Sequence, residues 1–330
     1  MSAVETIAGP VDSSELGWTL SHEHLTSGMG GMEHIAGLYD EDEALRRSMD
    51  ALKLAYDAGV RSLIDCTPLD LGRQVGLFQR LAEISPIKIV ACTGVYRWVP
   101  LSYYAWDEDT VAEHFLRDLQ EGMDGSGVRA GIIKLAWDLE YQLEEGGARS
   151  PRAQLEKCAR GAARAAKVAG VPITCHTRPA DHHGTRLLDI FEEEGLDLRA
   201  VTIGHTNDSY EPEYVLGLAE RGATVGLDRY MQRDETELAR RAEIALSLVE
   251  AGYAEQTSLG HDSASCSMNG GLPSGGSRVE NPRCWLPIPE FQLPWLREHG
   301  TTDDQIDQLM AGSVKATFEA AAAMAAPGSR

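Results

Sequence analysis

The amino-acid sequence predicts an α/β fold, namely a (β/α)8 barrel (TIM barrel) formed by a single domain over residues 1–330. Short β-branched or apolar segments alternate with longer amphipathic segments along the whole chain, and this alternation is typical of βα units around a parallel sheet. Eight short segments occur without an evident linker between them. Because a barrel of eight such units needs about 250 residues or more, the chain length favours one barrel over two domains.

The eight strands are expected where these short segments lie. They cover residues 17–20, 62–66, 88–92, 131–135, 171–175, 200–204, 223–227 and 256–259. Amphipathic helices are expected between them, over residues 41–58, 75–84, 110–122, 151–169, 186–194, 213–221 and 235–251. Gly59, Gly170 and Gly252 follow three of these helices, as is typical where a helix ends in a left-handed residue.

The segment after the first strand argues against the alternative architecture, a doubly wound open sheet. That fold would carry a glycine-rich phosphate loop at this position, where the chain has His22, Glu23 and His24 instead. A glycine-rich run at 269–276 comes only after the eighth strand. It predicts a long loop over the barrel mouth, at about residues 263–287.

Composition excludes several classes of partner. The chain has 30 Lys and Arg residues against 51 Asp and Glu residues, a net charge of −21, which argues against nucleic acid and membrane-surface partners. No apolar stretch approaches the roughly 18 residues that span a membrane. The N-terminal residues lack the basic start and apolar core of a signal peptide, and the six cysteines show no C-x-x-C spacing. We therefore expect a cytoplasmic protein with reduced cysteines.

Polar residues stand where five of the predicted strands end, which is where active sites of these barrels lie. His22 and His24 follow the first strand and share one face, because side chains alternate along a strand. The other strand ends carry Lys134, His176, His205 and the pair His261 and Asp262. Imidazole and carboxylate groups are common ligands of divalent metal ions. The sequence therefore predicts a metal site at the barrel mouth.

Lys134 is unusual because it interrupts an otherwise apolar strand. A buried ammonium group is costly unless it is paired or neutralised, and it cannot bind a metal. A lysine amine that has taken up CO2 becomes a carbamate, whose oxygens can bridge two cations. The alternative is a structural lysine paired with Glu23 or Asp138.

Short motifs along nearly the whole chain carry a family resemblance. They are GWTLSHEHL from residue 17, DCTP from 65, LGR from 71, TGVY from 93, AGIIK from 130, ITCHT from 173, IGHTND from 203, GLDRY from 226 and HD from 261. With these motifs the chain resembles the phosphotriesterase family of the amidohydrolase superfamily, including its phosphotriesterase-like lactonase branch. The resemblance implies a binuclear metal centre at the C-terminal ends of the barrel strands.

The ligand set that the resemblance implies uses six of the seven strand-end residues, all except His261. His22, His24 and Asp262 would hold the more buried metal ion, and His176 and His205 the more exposed one, with carboxylated Lys134 and a hydroxide bridging the two ions. The ions would be zinc, with manganese, cobalt or iron as alternatives. The resemblance also implies that Tyr96 and Arg229 line the substrate pocket, with Tyr96 near the bridging hydroxide. The alternatives are a half-buried packing role for Tyr96 and a structural ion pair of Arg229 with Asp228.

The implied function is a metal-dependent hydrolase in which the bridging hydroxide attacks a lactone or related ester and Asp262 takes up the proton. The small-molecule substrate is not identified by the metal ligands, so an aryldialkylphosphatase, which hydrolyses phosphotriesters, is the alternative. A non-catalytic metal-binding or ligand-binding protein on the same scaffold is the alternative from another class. Similar proteins are often homodimers, so we expect a homodimer.

Overall fold

The computed structural model of the chain describes residues 2–35, 37–209, 211–230, 235–268 and 282–325. Its strands are β1 (Ala3–Thr6), β2 (Gly9–Asp12), β3 (Thr19–Ser27), β4 (Ser62–Asp65), β5 (Lys88–Val90), β6 (Cys92–Gly94), β7 (Ile132–Ala136), β8 (Ile173–His176), β9 (Val201–Ile203), β10 (Thr224–Leu227), β11 (Thr257–Leu259) and β12 (Ala264–Ser267). Its α-helices are α1 (Glu41–Asp57), α2 (Val75–Ile84), α3 (Glu108–Gln120), α4 (Pro151–Ala169), α5 (His183–Glu193), α6 (Pro212–Glu220), α7 (Glu235–Glu250), α8 (Leu293–Glu298), α9 (Asp303–Asp307) and α10 (Ser313–Met324).

The strands after β2 are parallel and form two hydrogen-bonded sheets. One sheet has the order β11-β10-β9-β8-β7-β6 and the other the order β12-β3-β4-β5. The sheets meet at Ala91, which separates β5 from β6 and accepts a hydrogen bond from the Gly131 main-chain N–H. At the other seam, Asp262 N donates to the His22 carbonyl at 3.0 Å and His24 N donates to the Ser263 carbonyl at 3.1 Å. The strands therefore follow one another around an eight-stranded barrel, as the alternating sequence pattern predicts.

Three strands, β1, β2 and β12, were not expected from the sequence. β1 and β2 pair as an antiparallel hairpin ahead of the barrel, and Ile7 N donates to the Ile89 carbonyl at 2.8 Å. β12 lies inside the segment predicted as a loop at 263–287, so that part of the prediction is wrong. It forms a strand because it pairs with the second half of β3, with Ala264 opposite His24. Residues 269–281 of the predicted loop lie outside the described residues.

Local sequence signals set the helix ends. Asp40 and Asp107 accept hydrogen bonds from the first turns of α1 and α3, as N-cap residues do. Ser150 caps α4, Pro151 occupies its first position, and Gly170 ends it with φ +67°, which is the expected arrangement of proline before and glycine after a helix.

Helix α10 closes the barrel interior at the N-terminal end of the strands. Val314 and Phe318 of this helix pack against Ile64, Val90 and Ile132 inside the barrel. Most of the remaining buried apolar side chains lie in one core cluster with members on both strands and helices. Within the described part of the chain, no helix is both long and apolar enough to cross a membrane. The opposite, C-terminal end of the barrel carries the candidate site.

Candidate metal centre

The six predicted ligands come together at the C-terminal end of the barrel. One ligand atom from each of His22, His205 and Asp262 lies within 4.8 Å of the other two. The remaining three are in direct contact with this group. His24 Nε2 lies 3.0 Å from Asp262 Oδ1, His176 Nδ1 lies 2.6 Å from His205 Nε2, and Lys134 Nζ lies 2.8 Å from His22 Nε2.

The backbone is unusual at two of these positions. His205 and Asp262 adopt left-handed φ values of +63° and +52°, which are uncommon for residues other than glycine. Such conformations cost on the order of 1 to 3 kcal/mol and persist only where the surroundings enforce them. Both residues lie in the turn that follows a barrel strand. This turn directs the side chain across the mouth of the barrel.

Asp228 contacts the outer nitrogens of two of the histidines, His22 and His205. Its Oδ2 lies 2.5 Å from His22 Nδ1, and its Oδ1 lies 2.7 Å from His205 Nδ1. Oδ1 also accepts the His205 main-chain N–H at 2.5 Å. Sequence reasoning did not assign this role, because it considered Asp228 only as an ion-pair partner of Arg229. The available signal was its position just after β10, at the same level of the barrel as the other ligands.

The other two histidines have outer partners of their own. His176 Nε2 lies 3.3 Å from Asp138 Oδ2. His24 Nδ1 lies 2.8 Å from Thr67 Oγ1, and Thr67 donates its own proton to the Thr26 carbonyl, so Thr67 is the acceptor for His24. In all four histidines the outer nitrogen therefore contacts an oxygen atom, and the inner nitrogen faces the shared space. This is the usual arrangement of metal-binding histidines.

The charges of the cluster also suit a cation. Burial, followed by the nearby Lys134 ammonium, lowers the pKa of His22 to about 4. Burial and the adjacent His205 ring hold the pKa of His176 well below its ordinary value. Although burial opposes ionisation of Asp262, the His205 ring, with His24 and His22, holds its pKa well below the ordinary value. At neutral pH the cluster thus offers the neutral imidazoles of His22 and His176 and the ionised carboxylate of Asp262.

Lys134 is completely buried and lacks the carboxylate partners considered for it. Glu23 contacts His261 instead, and Asp138 contacts His176. Among the described residues, Nζ of Lys134 has one hydrogen-bond contact, with His22 Nε2. The structural alternative for this lysine, a salt bridge with Glu23 or Asp138, is therefore wrong.

Tyr96 lies beside the cluster. Its ring meets the His176 ring edge-on, with centroids 5.4 Å apart. Its main-chain N–H donates to both carboxylate oxygens of Asp70 at 2.9 Å. Burial raises the pKa of the Tyr96 hydroxyl above its ordinary value, so the phenol stays protonated. Asp70 was not identified from the sequence, because its partner is a main-chain group 26 residues away.

Arg229 binds a predicted ligand directly. Its Nη1 donates to Asp262 Oδ2 at 2.7 Å, and its Nε donates to Asp208 Oδ2 at 3.1 Å. Asp208 in turn accepts a hydrogen bond from Arg241 on α7 at 2.7 Å. The Arg229 guanidinium group therefore forms hydrogen bonds with the Asp262 carboxylate and with Asp208.

Comparison with known proteins gives consistent results. A family model described as "Phosphotriesterase family" matches residues 2–318. A protein of Saccharolobus solfataricus named aryldialkylphosphatase is 30% identical over 93% of this chain and 96% of its own length. A phosphotriesterase homology protein of Mycobacterium tuberculosis is 30% identical over 97% of this chain and 98% of its own length. An N-acetyltaurine hydrolase of Rattus norvegicus is 23% identical over 78% of this chain and 83% of its own length.

Proposed function

The chain belongs to the phosphotriesterase family, and from this membership we propose that it is a metal-dependent hydrolase that cleaves a lactone or a related ester. One observation carries the proposal. Four histidines each turn one ring nitrogen toward the space they share with the Asp262 carboxylate, while an oxygen atom outside the cluster contacts the other nitrogen. Such a concentration of nitrogen and oxygen ligand atoms is typical of a site that binds a cation.

We propose that the cluster holds two divalent ions. His22, His24 and Asp262 would bind one ion, His176 and His205 the other, and Lys134 would lie between them as a carbamate. The buried Lys134 amine supports the carbamate, because it has no carboxylate partner among the residues that the structure describes. Imidazole and carboxylate ligands favour zinc, with manganese, cobalt or iron as alternatives. When bound, such a pair of ions would activate a water molecule as nucleophile and stabilise the negative charge of the transition state.

The protein's own residues would orient the substrate and move the proton. Asp262 is ionised, and its Oδ2 accepts a hydrogen bond from Arg229 while its Oδ1 faces His22 and His24. Its carboxylate would take the proton from the attacking water. Arg229 keeps its charge throughout, because guanidinium groups are not deprotonated in proteins. The Tyr96 hydroxyl, held protonated beside His176, would donate a hydrogen bond to the substrate carbonyl.

Phosphotriester hydrolysis is the second candidate, because a relative at 30% identity is named aryldialkylphosphatase. Both reactions place an anionic oxygen at the same cluster, so the ligands suit either reaction and the walls of the pocket must select between them. A non-catalytic role is less well supported, since all six ligand positions carry residues able to bind a metal or, for Lys134, to become a ligand.

The decisive experiment measures bound metal per chain and then turnover. Zinc, manganese and cobalt forms would be assayed with matched lactones, aryl esters, aryl phosphotriesters and an N-acyl amide. We expect two metal ions per chain and the highest kcat/KM for a lactone. A faster phosphotriester reaction would favour the second candidate, and a two-metal protein that turns over none of these substrates would contradict hydrolysis.

The carbamate has its own test in Lys134→Ala. We expect this variant to lose bound metal and activity together, and a short carboxylic acid such as propionate to restore part of both by replacing the bridging oxygens. Lys157→Ala is the matched control, because Lys157 binds the carbonyls of Tyr103 and Trp106 and touches no predicted ligand. Unchanged metal content in Lys134→Ala would contradict the carbamate.

We also propose that the protein is a homodimer. Exposed apolar side chains on the loops after β3, β4 and β6 support this: Met29, Ile35, Leu69, Trp98 and Leu101. Clusters of exposed apolar residues commonly mark protein interfaces. Light scattering should give twice the chain mass of 35.9 kDa, and Leu101→Asp, at the most exposed of these positions, should shift the protein toward monomer.

A further inference from the structure

Glu23 lies between two predicted ligands, His22 and His24, but its side chain faces away from the cluster and is completely buried. Its carboxylate contacts the segment that carries Asp262. Oε1 accepts the main-chain N–H of His261 at 2.8 Å, and Oε2 accepts the main-chain N–H of Ser263 at 3.3 Å. One carboxylate thus holds the backbone on both sides of Asp262.

A third hydrogen bond to Glu23 comes from the His261 ring, whose Nδ1 lies 2.6 Å from Oε1. The position of the ring proton follows from the opposite nitrogen. Ile288 N donates to His261 Nε2 at 3.1 Å, so Nε2 is an acceptor and Nδ1 carries the proton. All three contacts to Glu23 are therefore N–H donors.

The held segment contains a strained residue. Asp262 has φ +52°, and such a conformation persists only where neighbouring contacts enforce it. Beside Glu23, these contacts include two main-chain hydrogen bonds to β3, namely Asp262 N to the His22 carbonyl and His24 N to the Ser263 carbonyl. Trp285 Nε1 adds a hydrogen bond to the same Ser263 carbonyl at 3.0 Å. Glu23 supplies the only side-chain acceptor among these contacts.

We propose that Glu23 is a positioning residue that holds the backbone around Asp262 in its strained form, and so directs the Asp262 carboxylate toward His22, His24 and His205 before a metal ion binds. The middle residue of the His22-Glu23-His24 triplet would thereby link the ligands of β3 to the ligand that follows β11. The backbone part of this inference stands independently, and its consequence for metal affinity rests on the proposed function.

The first test measures hydrogen exchange in the metal-free protein. Glu23→Gln keeps the side-chain size but replaces one acceptor oxygen by an NH2 group, which cannot accept the N–H of His261 or Ser263. Of the amides of His261 and Ser263, we expect the one that loses its acceptor to exchange at least about tenfold faster, the effect of a local loss of roughly 1.4 kcal/mol. Unchanged protection of both amides would overturn the inference.

Asp118→Asn is the matched control for a buried carboxylate. Asp118 accepts hydrogen bonds from Arg73 and Thr93 and touches no predicted ligand. It should lower the free energy of unfolding without selectively accelerating exchange at His261 and Ser263. Equal acceleration in this control would mean that general destabilisation, and not the lost Glu23 contacts, explains the result.

A pair of His261 variants keeps the test valid if Glu23→Gln does not fold. His261→Asn retains a side-chain N–H donor that can reach Glu23, whereas His261→Leu has none. We expect near-normal protection of the Ser263 amide in the first variant and faster exchange in the second. Equal exchange in the two variants would contradict the role of the Glu23 contact.

The second test measures metal affinity by calorimetry and, for the cobalt form, the visible spectrum. Loss of an outer hydrogen bond to a metal site typically weakens binding about 10- to 100-fold, so we expect this loss and an altered cobalt spectrum in Glu23→Gln but not in Asp118→Asn. A wild-type protein that binds no metal would contradict the proposed function, and hydrogen exchange would still decide the positioning role. Normal affinity together with normal exchange in Glu23→Gln would overturn this inference alone.

Discussion

At the scale of single residues, the candidate centre depends on which nitrogen of each histidine carries the proton. Asp228 determines the protonated nitrogen of both His22 and His205, although these two rings come from the first and sixth strand positions of the barrel. Its two oxygens are 2.5 and 2.7 Å from the two Nδ1 atoms. One carboxylate therefore orients two ligands, and its loss should disturb both metal positions.

Asp228→Asn tests this dependence. The amide retains one acceptor oxygen and turns an NH2 group toward the other Nδ1–H, so one imidazole loses its partner. We expect metal binding to weaken about 10- to 100-fold, measured by calorimetry with zinc. Asp118→Asn serves again as the buried-carboxylate control, and equal affinities of Asp228→Asn and wild type would contradict the orienting role.

Asp70 provides a pH-dependent prediction. Burial raises its pKa from 3.8 to about 7, opposed by the Tyr96 main-chain N–H and by Arg73. Between about pH 4 and pH 7 this carboxyl binds a proton in the folded protein but not in the unfolded chain, so its contribution to stability falls as the pH rises through this window. We therefore expect the free energy of unfolding of Asp70→Asn, relative to wild type, to increase from pH 4 to pH 7.

Urea unfolding of both proteins at several pH values measures this difference. Groups other than Asp70 titrate in both proteins, so their contributions cancel in the comparison. A pH-independent difference would show that the folded pKa of Asp70 is close to its ordinary value.

At the scale of elements, the positions where strands end explain why the ligands could be located from the sequence and why one strand could not. The six predicted ligands were located because each lies at or just after an apolar segment, and the structure places them together. Two strands of the barrel are interrupted, at Ala91 and between β11 and β12. The segment Ala264–Ser267 lacks large apolar residues and forms a strand through its pairing with β3, so local sequence did not identify it.

Gly94 gives a prediction at this scale. It has φ +123°, and a Cβ atom there would overlap the Lys134 carbonyl, which accepts the Val95 N–H at 3.0 Å. Gly94→Ala should therefore separate β6 from β7 beside Lys134 and lower stability by more than the roughly 1 kcal/mol of an ordinary substitution.

Gly217→Ala is a comparison variant for which the same substitution should have the opposite effect on stability. Gly217 lies in α6 with open space around the added Cβ, so alanine should stabilise the helix by about 0.5 to 1 kcal/mol. Thermal unfolding of both variants measures the contrast. A Gly94→Ala protein as stable as wild type would contradict the close strand approach.

At the scale of the whole molecule, the single domain over residues 1–330 stays a prediction, as does the cytoplasmic location. One domain should unfold in one cooperative transition, with fluorescence and circular dichroism giving the same midpoint. Two separate transitions in the metal-free protein would contradict a single domain.

Metal binding should raise the midpoint temperature of that unfolding transition. A ligand that binds only the folded protein adds about 2.7 kcal/mol of stability at 100 times its Kd. Because the predicted ligands come from strands all around the barrel, the unfolded chain offers no comparable site. We therefore expect Tm to rise with zinc concentration and to fall on chelation, and an unchanged Tm would contradict a metal centre in the folded protein.

The order of the eight barrel segments and of the helices between them could be predicted from the sequence, as could the residues at the strand ends. These features follow from periodicity and capping signals that act within a few neighbouring residues. The partners of those residues depend on the tertiary structure. Asp228 reaches His22 across 206 positions of the chain, and Glu23 reaches His261 across 238. Contacts between residues so far apart depend on barrel closure and on turns such as that at Asp262, which no local pattern specifies.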